Sequence, residues 1–274
     1  MTARSNPKPS WPPAHDSSSQ SLYAHTLGTG SDVVLVHGWG MHSGVWEDVA
    51  EGLIDDFRVT VVDLPGYGFS RRYEGRHTLD DLCAAVAAVV PTPAAWVGWS
   101  LGGLVAQRLA VTAPQRVSHL ILTNSTPCFA QRADWPHAVA LPVLRQFAED
   151  LRRDYRAVLK RFIALEVYGS ERASAQLQQL KAMLFQHGEP ALSALEDGLQ
   201  ILESTDLRPD WGRIVCPILL LMGERDQLVP VEAGQALVAH RPDVRLRVLE
   251  RAGHAPFFSH LPVFNAELRA FLNG

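Results

Sequence analysis

The chain has 274 residues, 47% hydrophobic and 20% charged, which suits one large core with room for an inserted subdomain and excludes a fibrous or disordered protein. A formal net charge of -4 argues against non-specific binding to nucleic acid. Three scattered cysteines, Cys83, Cys128 and Cys216, make neither a disulfide framework nor a metal site and read as buried apolar thiols.

Residues 1–20 are rich in Pro and Ser and lack an apolar run long enough for a signal peptide or a membrane span. They predict a loose tail on a cytoplasmic protein without a membrane partner, which we read as a monomer. From Asp32 to Thr126 short apolar runs alternate with helical stretches: Val33–Val36, Val59–Val62, Ala94–Val97 and Leu120–Leu122 read as strands, and Leu104–Ala113 as a helix. Such alternation indicates a mostly parallel sheet covered by helices on both faces. Between about Phe129 and Arg208 the pattern turns helical, with segments over Leu144–Ala164 and Ser170–Phe185, and predicts an inserted lid. Cys216–Met222 and Val244–Leu249 then resume the strands, with helices over Glu232–Ala239 and Pro262–Leu272. The expected organisation is a core of residues 21–128 and 209–274 split by a helical lid of residues 129–208.

Gly98-Trp99-Ser100-Leu101-Gly102 stands between a predicted strand and a predicted helix, the context in which a G-x-S-x-G pentapeptide presents a nucleophilic serine. A serine hydroxyl is a weak nucleophile at neutral pH and needs a base, itself oriented by a third group. Asp226 follows one late strand and His254 the next, so both fall on loops at strand carboxyl ends. Glu224 is the alternative acid. The glycine-rich His37-Gly38-Trp39-Gly40 after the first strong strand suits an oxyanion loop, with the N–H groups of Trp39 and Leu101 as donors, the lesser alternative being that the glycines mark nothing more than a tight turn. Asp63–Ser70 reads as a structural turn.

These residues resemble the α/β-hydrolase superfamily over about Leu22 to the carboxyl terminus, through His37–Gly40, Asp63–Ser70, Gly98–Leu104, the Asp226 loop and Ala252–Phe257. Further segments, Ser125–Phe129, Asp134–Pro136, Arg161–Leu165 and Thr205–Arg208, are similar to those of the pimeloyl-acyl carrier protein methyl ester esterases of biotin synthesis. The resemblance implies the α/β-hydrolase fold, a Ser100-Asp226-His254 triad, methyl-ester hydrolysis without metal or organic cofactor, and acyl carrier protein as the partner that presents the substrate. It also implies acyl-chain contacts by Trp39, Ser100, Leu101, Phe162, Ile163, Ala164, Leu165, Glu166 and His254. Glu166 departs from the family's neutral glutamine, and a buried carboxylate there would require a partner or solvent. Phe162, Ile163 and Leu165 could instead be the lid's own packing stripe.

The lid carries Arg145, Arg152, Arg153, Arg156, Lys160, Arg161, Arg172 and Lys181, a basic set suited to an acidic carrier protein or, more simply, to a solvated helix face. Arg152, Arg156 and Lys160 recur at i, i+4 spacing and could share one face. Because one triad serves several reactions on this fold, a general short-chain carboxylesterase, a carbon-carbon bond hydrolase and a non-catalytic ligand receptor stand as alternatives.

Overall fold

The computed structural model describes residues 21–73, 77–90 and 93–274; the predicted tail of residues 1–20 lies outside them. Seven strands form one sheet: β1 (Ala24–Leu27), β2 (Ser31–Val36), β3 (Phe57–Val62), β4 (Ala94–Trp99), β5 (Val117–Thr123), β6 (Ile218–Gly223) and β7 (Arg245–Leu249). Their order is β1-β3-β2-β4-β5-β6-β7. Every pairing is parallel except that of β1 with β3. All six residues of β4 and of β6 are buried, as a central parallel strand covered on both faces requires.

The antiparallel β1 is absent from the sequence reading. Its residues Ala-His-Thr-Leu are mostly half-buried at the sheet edge and offer no apolar run; pairing with β3, including Thr26 Oγ1 to Thr60 Oγ1 at 2.9 Å, makes them a strand.

Helices α1 (Glu47–Glu51), α2 (Leu79–Val89) and α3 (Leu101–Thr112) accompany the first five strands. A capping box between Thr78 and Asp81 starts α2. Between β5 and β6 come α4 (Leu141–Val167), α5 (Ala173–Met183) and α6 (Leu192–Ser204), with only isolated β-bridges among the described residues of that stretch. Helices α7 (Val231–His240), α8 (Pro256–Ser259) and α9 (Leu261–Leu272) complete the chain. No described helix is long and apolar enough to cross a membrane.

Helix α4 is two helices joined at Asp154, whose φ of -155° and ψ of 85° leave the helical region. The Asp154 carboxylate accepts the Ala157 N–H at 3.0 Å and so caps the second half. This break corrects the expected single face of Arg152, Arg156 and Lys160, since residues on either side of a kink no longer follow one helical period. Arg152 instead pairs with Glu196 at 3.2 Å, and Arg156 with Glu189.

Candidate active site

The turn from β4 into α3 forces Ser100 to a φ of 53° and a ψ of -118°. Such strain in a non-glycine residue persists only where surrounding structure imposes it. The flanking glycines allow the close approach: a side chain on Gly98 would strike the carbonyl of Gly102, and one on Gly102 the carbonyl of Val36. Ser100 N–H donates to Thr123 O at 3.1 Å, and Ser125 Oγ donates to Ser100 O at 2.8 Å, which ties the turn to the end of β5. As the first residue of α3, Leu101 has an N–H that no carbonyl of its own helix accepts, and the positive end of the helix dipole lies beside Ser100.

Asp226 and His254, 28 residues apart, meet in the interior with fully buried side chains. The His254 Nδ1–H donates to Asp226 Oδ2 at 2.7 Å. That bond leaves Nε2 of the neutral ring with a free lone pair, and Nε2 is buried without a hydrogen-bond partner. A histidine oriented in this way by a carboxylate has the chemistry of a general base, its second nitrogen being free to accept a proton. Glu224, the alternative acid, is half-exposed and accepts the Arg251 N–H at 2.7 Å. The geometry therefore brings Asp226, not Glu224, to the histidine.

Asn124, absent from the sequence reading, completes this arrangement. It is fully buried just after β5 at a φ of 43°, and its Nδ2–H donates to Asp226 Oδ2 while its Oδ1 accepts the Gly223 N–H at 3.2 Å. The only cue in the sequence is an asparagine, tolerant of left-handed backbone, directly after a buried strand. Leu228 N–H donates to the other carboxylate oxygen at 2.8 Å. Asp226 thus accepts three hydrogen bonds, which fix the carboxylate's orientation toward His254.

The loop after β2 lies against Ser100, for a Cβ added to Gly38 would sit 3.2 Å from that of Ser100. His37 braces the loop: its Nδ1–H donates to Gly38 O at 2.8 Å and its Nε2 accepts the Leu64 N–H at 3.0 Å. Both ring nitrogens are occupied, so His37 is no acid or base. Burial, partly offset by the bond to Gly38, pulls its pKa from 6.5 down to about 3. The unfolded chain therefore binds a proton here below about pH 6.5 that the folded one refuses until about pH 3, and stability is lost as pH falls through that window. The expected loss from this ring at pH 5 is about 2 kcal/mol. In urea unfolding, the difference in stability between pH 7 and pH 5 should shrink by about that amount in His37→Gln; an unchanged difference would contradict the assignment.

Trp39 is fully buried and links the same loop to the helical insertion. Its Nε1–H donates to Leu195 O of α6 at 2.9 Å, and its ring meets Phe162 of α4 edge-on at 4.8 Å. Of the five consecutive candidates on α4, Phe162, Ile163 and Glu166 are buried, Leu165 is half-buried and Ala164 is exposed. A 3.6-residue period cannot turn five neighbours to one side, so Ala164 faces solvent. Glu166 has both carboxyl oxygens buried without partners; burial first, then the charge of Asp226, raises its pKa well above the usual carboxylate range.

Two other features include none of Ser100, Asp226 and His254. A cavity of roughly 530 Å³ is lined by His77, Asp80, Arg108 and Asp197 among others. His42, Asp63 and His187 bring three potential metal-ligand atoms within 4.8 Å of one another. Their capacity is largely committed: His42 bonds the Gly44 N–H and Met183 O, and Asp63 accepts the N–H groups of Ser43 and Phe69. The two rings also stack, 4.0 Å apart, which keeps their in-plane lone pairs from converging on one ion. The cluster clamps the segment before α6 onto the core, and Asp63 holds the Asp63–Ser70 turn as a structural element.

Residues 33–261 match the α/β hydrolase fold family. The chain belongs to that family. Among its relatives, proteins named pimeloyl-acyl carrier protein methyl ester esterase are 42% identical in Aliivibrio fischeri (strain MJ11), over 92% of this chain and 98% of that protein, and 43% identical in Nitrosomonas europaea, over 87% and 94%. Among solved structures, an esterase (EaEST) from Exiguobacterium antarcticum superposes with a TM-score of 0.83 at 25% identity, covering 92% of this chain and 96% of that one. This α/β hydrolase therefore carries its Ser100 turn and its Asp226–His254 pair where its fold gathers them, at the carboxyl ends of β4, β6 and β7.

Proposed function

We propose that this hydrolase cleaves the methyl ester of a pimeloyl group carried on acyl carrier protein, releasing methanol, in biotin synthesis. The observation that carries the reading is the identity of 41–43% with esterases of that name over 87–92% of this chain. The site supplies the chemistry. His254, oriented by Asp226, takes the proton of Ser100 as the hydroxyl attacks the ester carbonyl, and the N–H groups of Trp39 and Leu101 hold the oxyanion. Methanol leaves with that proton. Water, deprotonated by His254, then attacks the acyl-serine and frees both the carboxylate and Ser100, so the cycle uses one ester and one water.

In this reading the insertion, taken as residues 129–208, acts as the lid. Phe162, Ile163 and Leu165 bring apolar surface to the acyl chain. Arg153 and Lys160 on α4 and Arg172 and Lys181 at α5 are exposed and form no ion pair among the described residues, which suits them to an acidic carrier protein, whereas Arg145, Arg152, Arg156 and Arg161 already hold carboxylates within the insertion.

Methanol release tests the reading. Pimeloyl-acyl carrier protein methyl ester should give a kcat/KM well above that of the free dimethyl ester and of a short p-nitrophenyl ester. Equal or better turnover of the small esters would leave a general short-chain carboxylesterase in its place. Failure of Ser100 to react with a fluorophosphonate would point to a receptor on this fold.

A further inference from the structure

Residue 166 meets the site twice. Its backbone carbonyl accepts the His254 N–H at 2.8 Å, so α4 holds the histidine backbone on one side while Trp99 Nε1–H at the end of β4 donates to His254 O at 2.8 Å on the other. The segment that follows α4 ties itself to the same loop at two more points: Glu171 N–H donates to Arg251 O at 3.2 Å, and the buried Gln176 donates from Nε2 to Ala255 O at 3.2 Å. Gly253 packs so closely here that an added Cβ would lie 2.9 Å from Glu166 O. The side chain of the same residue is a carboxyl, 1% exposed, with neither oxygen hydrogen-bonded.

Asp226 is the charged group that acts on this carboxyl. The charged and titratable groups on the segments around it are Arg225 beside Asp226 in the loop after β6, Arg251 and His254 in the loop after β7, and Tyr168, Glu171 and Arg172 at the α4–α5 junction. Asp226 and His254 are bonded to each other, Arg225 donates to Gly169 O at 3.1 Å, and Arg251 pairs with Glu171 at 3.2 Å. Tyr168 and Arg172 are exposed. None of these groups gives Glu166 a donor or a counter-charge.

We propose that Glu166 is a positioning residue for the catalytic histidine, and that it holds the histidine loop only while its side chain is an uncharged carboxylic acid. The inference rests on His254 being the general base, as read above, but not on the identity of the acyl substrate. An uncharged acid tolerates this enclosure; a carboxylate without donor or cation does not, and beside Asp226 it is also repelled. Loss of the proton to solvent turns the carboxylate outward. The last turn of α4 moves with it, the carbonyl of residue 166 leaves the His254 N–H, and the base loses its place. A glutamine at this position cannot ionise and keeps the seat at any pH.

The test uses the full-length protein, a short methyl ester followed by titration in a pH-stat, and the rate of inactivation by a fluorophosphonate, each protein normalised to its own value at pH 7. The native protein should lose kcat reversibly on the alkaline side with little change in KM, and its inactivation rate should fall in parallel. Glu166→Gln, and Glu166→Met as a second uncharged variant, should carry the plateau upward by about one pH unit or more. A native profile flat to pH 10 overturns the proposal whatever the variants do. So does an alkaline fall shared by native and variant proteins, or a folded Glu166→Gln that is inactive at every pH. Loss of labelling at all pH values in the native protein would instead remove the reading of Ser100 and His254 on which the proposal rests.

Discussion

Ser100→Ala is expected to lower methyl-ester hydrolysis about 10⁴- to 10⁶-fold, since removing the nucleophile of such a triad leaves only binding and oxyanion stabilisation to act on the substrate. Alanine keeps the Cβ and the backbone demands of the turn, where φ is 53°, so the protein should fold as before. The bonds that hold the turn, Ser100 N–H to Thr123 O and Ser125 Oγ to Ser100 O, involve no atom lost in the substitution. Circular dichroism should be unchanged and fluorophosphonate labelling abolished. An alanine variant that turns over at near-native rate would sink the serine assignment.

Asp226→Asn is expected to cost about 10³- to 10⁴-fold in kcat, through the tautomer of His254 rather than through any change of shape. In the native site Oδ2 accepts from both His254 Nδ1 and Asn124 Nδ2, while Oδ1 accepts the Leu228 N–H. An asparagine offers one acceptor and one donor in place of two acceptors. If its NH₂ faces His254, the ring must accept at Nδ1 and carry its proton on Nε2, where it can no longer take one from Ser100, and the same NH₂ opposes Asn124. If it faces the other way, it opposes the Leu228 N–H. Either orientation leaves a buried donor against a donor, so some loss of thermal stability should accompany the loss of rate. Full activity in Asp226→Asn would mean that another carboxylate orients the base, contrary to the half-exposed placement of Glu224.

Much of this site is legible before folding because each part is signalled locally. The strand ends carry apolar runs, the serine turn carries glycines that the close approach of Gly102 O and Val36 O demands, and the acid and base each follow a late strand. Asn124 has no such signal, for a single asparagine after a strand reads as an ordinary turn residue until β6 places Asp226 beside it. The basic residues of α4 illustrate the opposite error: their spacing suggests one stripe, and Asp154, an unremarkable charge in sequence, breaks the helix by capping its second half.

What the sequence by itself determined is the set of elements and the chemistry they present: alternating strands and helices, a serine at a strained turn, and an acid and a base in the order that the fold uses. Local periodicity and local backbone demands suffice for these. Only the tertiary structure decided which carboxylate serves the histidine, that β1 closes the sheet edge, that Ala164 faces solvent, and that Glu166 is enclosed without a partner. The physical reason is that hydrogen-bond satisfaction and desolvation depend on groups far apart in the chain: Asp226 receives Asn124 from 102 residues away, and the His254 N–H finds its acceptor on α4.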